Sequence, residues 1–159
     1  TRVLLDLAGR EKPDLILNMH CGVTRKNPYL KIFNPTKHDS DPMMHAIADS
    51  LRMSVYSAMI PKGYNRVKDL KELSTIKRSY SARVNLNTML INHTGALCAT
   101  IESPHHGWTG VDPDGTVVNN SPERILEMHM ILFLESMRYL SRSGGMEQWE
   151  AEYKKATKK

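Results

Sequence analysis

Leu15, Ile16, Leu17 and Met19 form a short, nearly continuous apolar run that Pro13 and Asp14 lead into and His20, Cys21 and Gly22 close. A run of that length, apolar on consecutive positions, has the pattern of a strand buried on both faces in a parallel sheet. A second mostly apolar run, Ala96 to Ile101, ends on Glu102. Helical patterns lie between and after these strands, and strands separated by helices point to an α/β sheet. The chain has 159 residues, 40% of them apolar and 25% charged, which suits one domain that buries its own core. It is neither a disordered tail nor a disulfide miniprotein.

The other elements follow from periodicity and punctuation. Thr1 to Arg10 reads as the end of a helix with Val3, Leu4 and Leu7 on one face. Val23 to Asp41, with Pro28, Asn34 and Pro35, reads as a long loop. Ser40 or Asp41 can cap a helix with Pro42 in its first turn and Met44, Ile47, Ala48 and Leu51 on its buried side. Ser54 to Ile60 then suits a strand, and Pro61 to Tyr80 a second loop with a helical turn at Val67 to Leu73. Arg83 to Asn92 has weak helical character, broken by Gly95. After Glu102, Ser103, Pro104, Gly107, Gly110, Pro113 and Gly115 predict an irregular loop. Ser121 and Pro122 open the strongest helix, which runs to about Leu140 and stops at Gly144 and Gly145. Residues 1–142 are thus read as the domain proper and 143–159 as a charged, peripheral terminal helix and tail.

Charge and motifs exclude several classes. The net charge is +5, with 22 basic against 17 acidic residues, but Lys154, Lys155, Lys158 and Lys159 supply most of the excess. A frayed cationic end accounts for it, so no nucleic-acid partner is expected. There is no run of 18 apolar residues, so no membrane partner is expected either. Cys21 and Cys98 lack C-x-x-C spacing and read as thiols, which leaves the compartment open. No P-loop, G-x-G-x-x-G or G-x-S-x-G occurs. His105 and His106 read as loop residues, Trp108 as a loop anchor, and His129 as a satisfied, partly buried histidine.

His20 and Glu102 each end a buried-looking strand on a side chain able to do chemistry. In open α/β sheets ligands gather beyond the carboxyl ends of the strands. A neutral imidazole there is a good zinc ligand, and a neighbouring carboxylate can take a proton from water.

The stretch PDLILNMHCG, Pro13 to Gly22, and the stretch GALCATIE, Gly95 to Glu102, resemble the zinc carboxypeptidases of the carboxypeptidase A type. In that family one buried strand delivers the third zinc ligand in a D-x-H context and a later T-x-E strand delivers the general base. The resemblance spans roughly Val3 to Arg142 and implies the C-terminal part of a catalytic domain with a three-layer α/β/α fold and a mostly parallel mixed sheet. It implies His20 as a zinc ligand, Glu102 as the base, and Tyr80 as a mobile residue that closes over substrate, with Tyr64 a weaker candidate. Asn18 stands where the family has Asp. The family's H-x-x-E motif, which supplies the other two ligands, is absent; His38 with Asp41 is an H-x-x-D in the wrong chain order. The remaining ligands and the residues that grip the substrate carboxylate are therefore expected before Thr1. The implied activity is zinc-dependent cleavage of a C-terminal peptide bond. Alternatives are an N-acyl amino-acid deacylase on the same scaffold and a catalytically silent binding domain.

Overall fold

The structure is a computed structural model that describes residues 2–21, 28–33, 42–66, 86–107, 109–112 and 114–157. Its elements are α1 (Arg2–Glu11), β1 (Leu15–Cys21), β2 (Lys31–Phe33), α2 (Pro42–Met59), α3 (Leu86–Thr94), β3 (Leu97–Ser103), β4 (Thr109–Val111), β5 (Val117–Asn119), α4 (Pro122–Ser143) and α5 (Met146–Thr157). The class is mixed α/β, with a three-stranded sheet in the order β1-β3-β2 and a separate β4-β5 pair.

The two apolar runs become β1 and β3, paired parallel from Leu15 opposite Leu97 to Cys21 opposite Ser103. β3 is the central strand, and Leu97, Cys98 and Ile101 are fully enclosed. β1 differs from expectation: it is an edge strand of the described sheet, half-buried at first and exposed over its last three residues. Its apolar run reflects pairing with β3 more than burial on both faces. The third strand, β2, was hidden within the expected loop. Its three residues between prolines carry too little pattern to be read, yet Ile32 is buried and its N–H donates to Tyr56 Oη at 2.8 Å.

The expected strand at Ser54 to Ile60 is instead the second half of α2. Met44, Ile47, Leu51, Val55 and Met59 recur at helical spacing and are all buried, so the periodicity begun at Met44 runs on through the β-branched and aromatic positions. Ser57 satisfies its hydroxyl by donating to the Met53 carbonyl at 2.6 Å, inside the same helix. Pro61 then ends the helix in a 3₁₀ turn. On α1, Leu5 and Ala8 meet the core, while Val3, Leu4 and Leu7 stay exposed.

α4 begins and ends where its caps dictate. Ser121 Oγ accepts from the Arg124 N–H at 3.3 Å, Pro122 occupies the first turn, and Gly144 closes the helix in the left-handed region with φ 76°. Its buried face, with Met128 and Leu132, packs on α2. The loop expected after Glu102 contains the β4-β5 hairpin, in which Gly110 passes so close to Pro28 that an added Cβ would lie 2.6 Å from its Cδ. The terminal helix α5 is not peripheral: Trp149 is buried in the main core. Val67 to Leu73, Trp108 and most of the two long expected loops lie outside the described residues.

The two thiols lie in opposite environments, as free cysteines. Cys21 is exposed at the end of β1, whereas burial pushes the Cys98 thiol up to about 12. The native chain is expected to consume one equivalent of a thiol reagent at neutral pH and a second only after denaturation. Rapid reaction of both thiols in the native state would contradict the enclosure of β3.

Candidate functional site

The parallel register sets His20 directly opposite Glu102. Residues in register on neighbouring strands share a face, so both side chains leave the sheet on the same side at its carboxyl end. His20 Nδ1 lies 3.7 Å from Glu102 Oε1, with the imidazole about half exposed and the carboxylate largely sheltered. The expected juxtaposition of the two residues is therefore present. A hydrogen bond from Ser103 Oγ to the His20 carbonyl, 3.0 Å long, ties the two strand ends together. On the other side of β3, Lys31 of β2 is the register partner of Glu102.

Asn18, two residues back on the same face of β1, touches the ring. Its Oδ1 lies 3.0 Å from His20 Nε2. The position that lacks the expected carboxylate thus still holds the ring, through an amide. Asn18 is itself held by Asn87 of α3, a buried residue that sequence reasoning missed. A lone Asn in a weakly helical stretch carries no signal of its own; only the fold brings it under the strand.

The next register pair, Cys21 and Ser103, points to the opposite face. There it lines an open cleft of about 500 Å³ with His105, His106, Ile125 and His129. His105 and His106 stack with ring centroids 4.8 Å apart. His129 departs from the expected satisfied histidine: Nε2 is enclosed without a hydrogen-bond partner among the described residues, and burial lowers its pKa below the usual value. This cleft and the His20–Glu102 pair are on different sides of the sheet.

Tyr64 is engaged elsewhere. Its hydroxyl donates to Glu127 and Arg124 stacks over its ring at 4.6 Å, both on α4. Tyr80, His38 and Asp41 lie outside the described residues. Among the described residues no group of three or more His, Cys, Asp or Glu could hold a metal ion, so His20 stands there as a single candidate ligand. No helix among them is long and apolar enough to cross a membrane.

Comparison of the chain with protein families, with curated proteins and with solved structures finds no match.

Proposed function

We propose that this chain contributes one zinc ligand, His20, and the general base, Glu102, to a zinc-dependent carboxypeptidase-like hydrolase that cleaves a C-terminal peptide bond. The observation that carries this reading is the in-register pair: an imidazole nitrogen 3.7 Å from a carboxylate, both at the carboxyl ends of parallel strands. The finer architecture that goes with it is a three-layer α/β/α domain. The remaining zinc ligands and the groups that bind the substrate carboxylate belong, on this reading, to a segment preceding Thr1.

The donor set suits the role asked of it. An imidazole anchored at Nε2 keeps Nδ1 for a cation, and a neutral imidazole nitrogen is a donor zinc accepts. Zinc, when bound, supplies Lewis acidity toward water and toward a scissile carbonyl. Glu102 takes the proton of the attacking water on its carboxylate and passes it to the leaving amine. Its side chain is largely sheltered but partly open to solvent, so water reaches it without screening it on all sides.

The test is made on the full-length protein supplied with zinc, using peptides with free C-termini, the same peptides amidated, and N-acyl amino acids. Free peptides are expected to lose their last residue and amidated ones to survive, with chelation abolishing the reaction. His20→Ala is expected to lose zinc and activity together. Turnover of N-acyl amino acids alone would make the protein a deacylase. A folded, zinc-loaded protein inert toward all three would leave a binding domain, and zinc retention with full activity in His20→Ala would remove His20 from the site.

A further inference from the structure

The face that carries His20 and Glu102 bears another in-register pair one step before them, Asn18 and Thr100. Asn87 bridges this pair from α3. Its Nδ2 donates to Thr100 Oγ1, and its Oδ1 accepts from Asn18 Nδ2 at 2.8 Å. Asn87 is only 5% exposed, so its amide has no water to exchange these partners for. With Asn18 Nδ2 committed to Asn87, the amide atom that faces the imidazole is Oδ1, 3.0 Å from His20 Nε2. An amide oxygen only accepts, so in the neutral ring Nε2 is the protonated nitrogen and Nδ1 carries the lone pair.

The opposite edge of the ring agrees with this assignment. An Nδ1–H facing a carboxylate closes to about 2.7–2.9 Å as a charge-assisted hydrogen bond. The Nδ1 to Oε1 separation is 3.7 Å, the spacing of two groups of which neither donates to the other.

We infer that Asn87, acting through Asn18, is a positioning residue that fixes His20 in the Nε2–H tautomer and presents its Nδ1 lone pair on the Glu102 side. The tautomer is a property of the chain alone; its use for holding zinc rests on the function proposed above. A carboxylate at position 18 would orient the ring and add negative charge next to the ligand. The amide pair orients it with no added charge, and the buried Asn87 supplies the directionality that a symmetric carboxylate does not need. Partners of this kind change metal affinity by about 10- to 100-fold when removed.

Ring nitrogen resonances of His20, measured on the ¹⁵N-labelled, metal-free chain at alkaline pH where imidazoles are neutral, test the inference directly. The resonances are identified by their loss in His20→Gln. The wild type is expected to show one tautomer, protonated at Nε2. Asn18→Asp, whose carboxylate can only accept, is expected to keep it. Asn87→Leu frees the Asn18 amide to rotate, and Asn18→Leu removes the acceptor outright. In Asn18→Leu, Glu102 becomes the acceptor left beside the ring, and the proton is expected to shift toward Nδ1; in Asn87→Leu the Asn18 amide can present either atom to Nε2, and a mixture of the two tautomers is expected. Asn18→Leu also serves if Asn87→Leu does not fold. A wild-type proton on Nδ1, or an unchanged tautomer in Asn18→Leu or in a folded Asn87→Leu, overturns the inference. A protein with the Nε2–H tautomer and no hydrolysis would sink the proposed activity and leave the positioning intact; hydrolysis with the proton on Nδ1 would do the reverse.

Discussion

Glu102→Gln is expected to lower turnover of C-terminally free peptides by about 10²-fold or more, the scale on which a general base contributes. Glutamine keeps the length of the side chain and its ability to accept a hydrogen bond, but at neutral pH it cannot take a proton. The loss should therefore fall on kcat, with KM little changed, because in the proposed role the group acts on the water and not on substrate affinity. Stability should move by less than about 0.5 kcal/mol, the usual range for a position outside the packed core. Glu102 sits at the strand end with part of its side chain open to solvent, while the buried residues of β3 are Leu97, Cys98, Ala99, Ile101 and Ser103. Steady-state kinetics alongside thermal melts separate the two effects. A variant with wild-type kcat would remove Glu102 from the chemistry, and one that fails through unfolding would place it in the structural framework.

The core of this site was legible in the sequence because the same residues that make the strands also mark their ends. Leu15 to Met19 and Leu97 to Ile101 are apolar enough to form paired strands, so the first polar residue after each, His20 and Glu102, falls at the end of its strand. That they would meet followed from both runs ending on them, but the exact register was not legible, since it depends on the partner strand; the parallel ladder sets residue 20 against residue 102. The misreadings have one physical origin, the override of local preference by tertiary packing. Ser54 to Ile60 has strand-like composition, yet Val55 and Met59 extend the buried stripe of α2, and a helix already begun is cheaper to extend than a strand is to start. Ile32 forms a strand through its pairing with β3 and its bond to Tyr56, neither of which three residues between prolines can announce. Asn87 joins the candidate site through contacts with Asn18 and Thr100, residues far from it in sequence or on another element.

The end of the chain shows the same override with the largest consequence for stability, and Trp149→Ala is expected to cost about 3–5 kcal/mol, the range for deleting a large aromatic from a core. The sequence around Trp149 is dominated by charge, so α5 reads as a solvated appendage; in the fold, Trp149 is 4% exposed and belongs to the same cluster as Leu51, Val55 and Leu132. Its ring lies 5.7 Å from that of Tyr139 on α4, tilted by 43°. The helix is also fastened at its start: Asp14, in the turn before β1, accepts the Met146 N–H at 2.8 Å, a cap supplied from the other end of the chain. Gly145 makes that approach possible, since it has φ 82° and an added Cβ would lie 2.6 Å from Asp14 Oδ1. Because whole domains of this size are stable by only about 5–15 kcal/mol, the loss should appear as a large drop in the urea midpoint with little change in slope. Asp14→Ala should lower the stability by about 1 kcal/mol, the worth of a cap. A Trp149→Ala chain that melts like the wild type would return α5 to the periphery and place the end of the domain near Arg142.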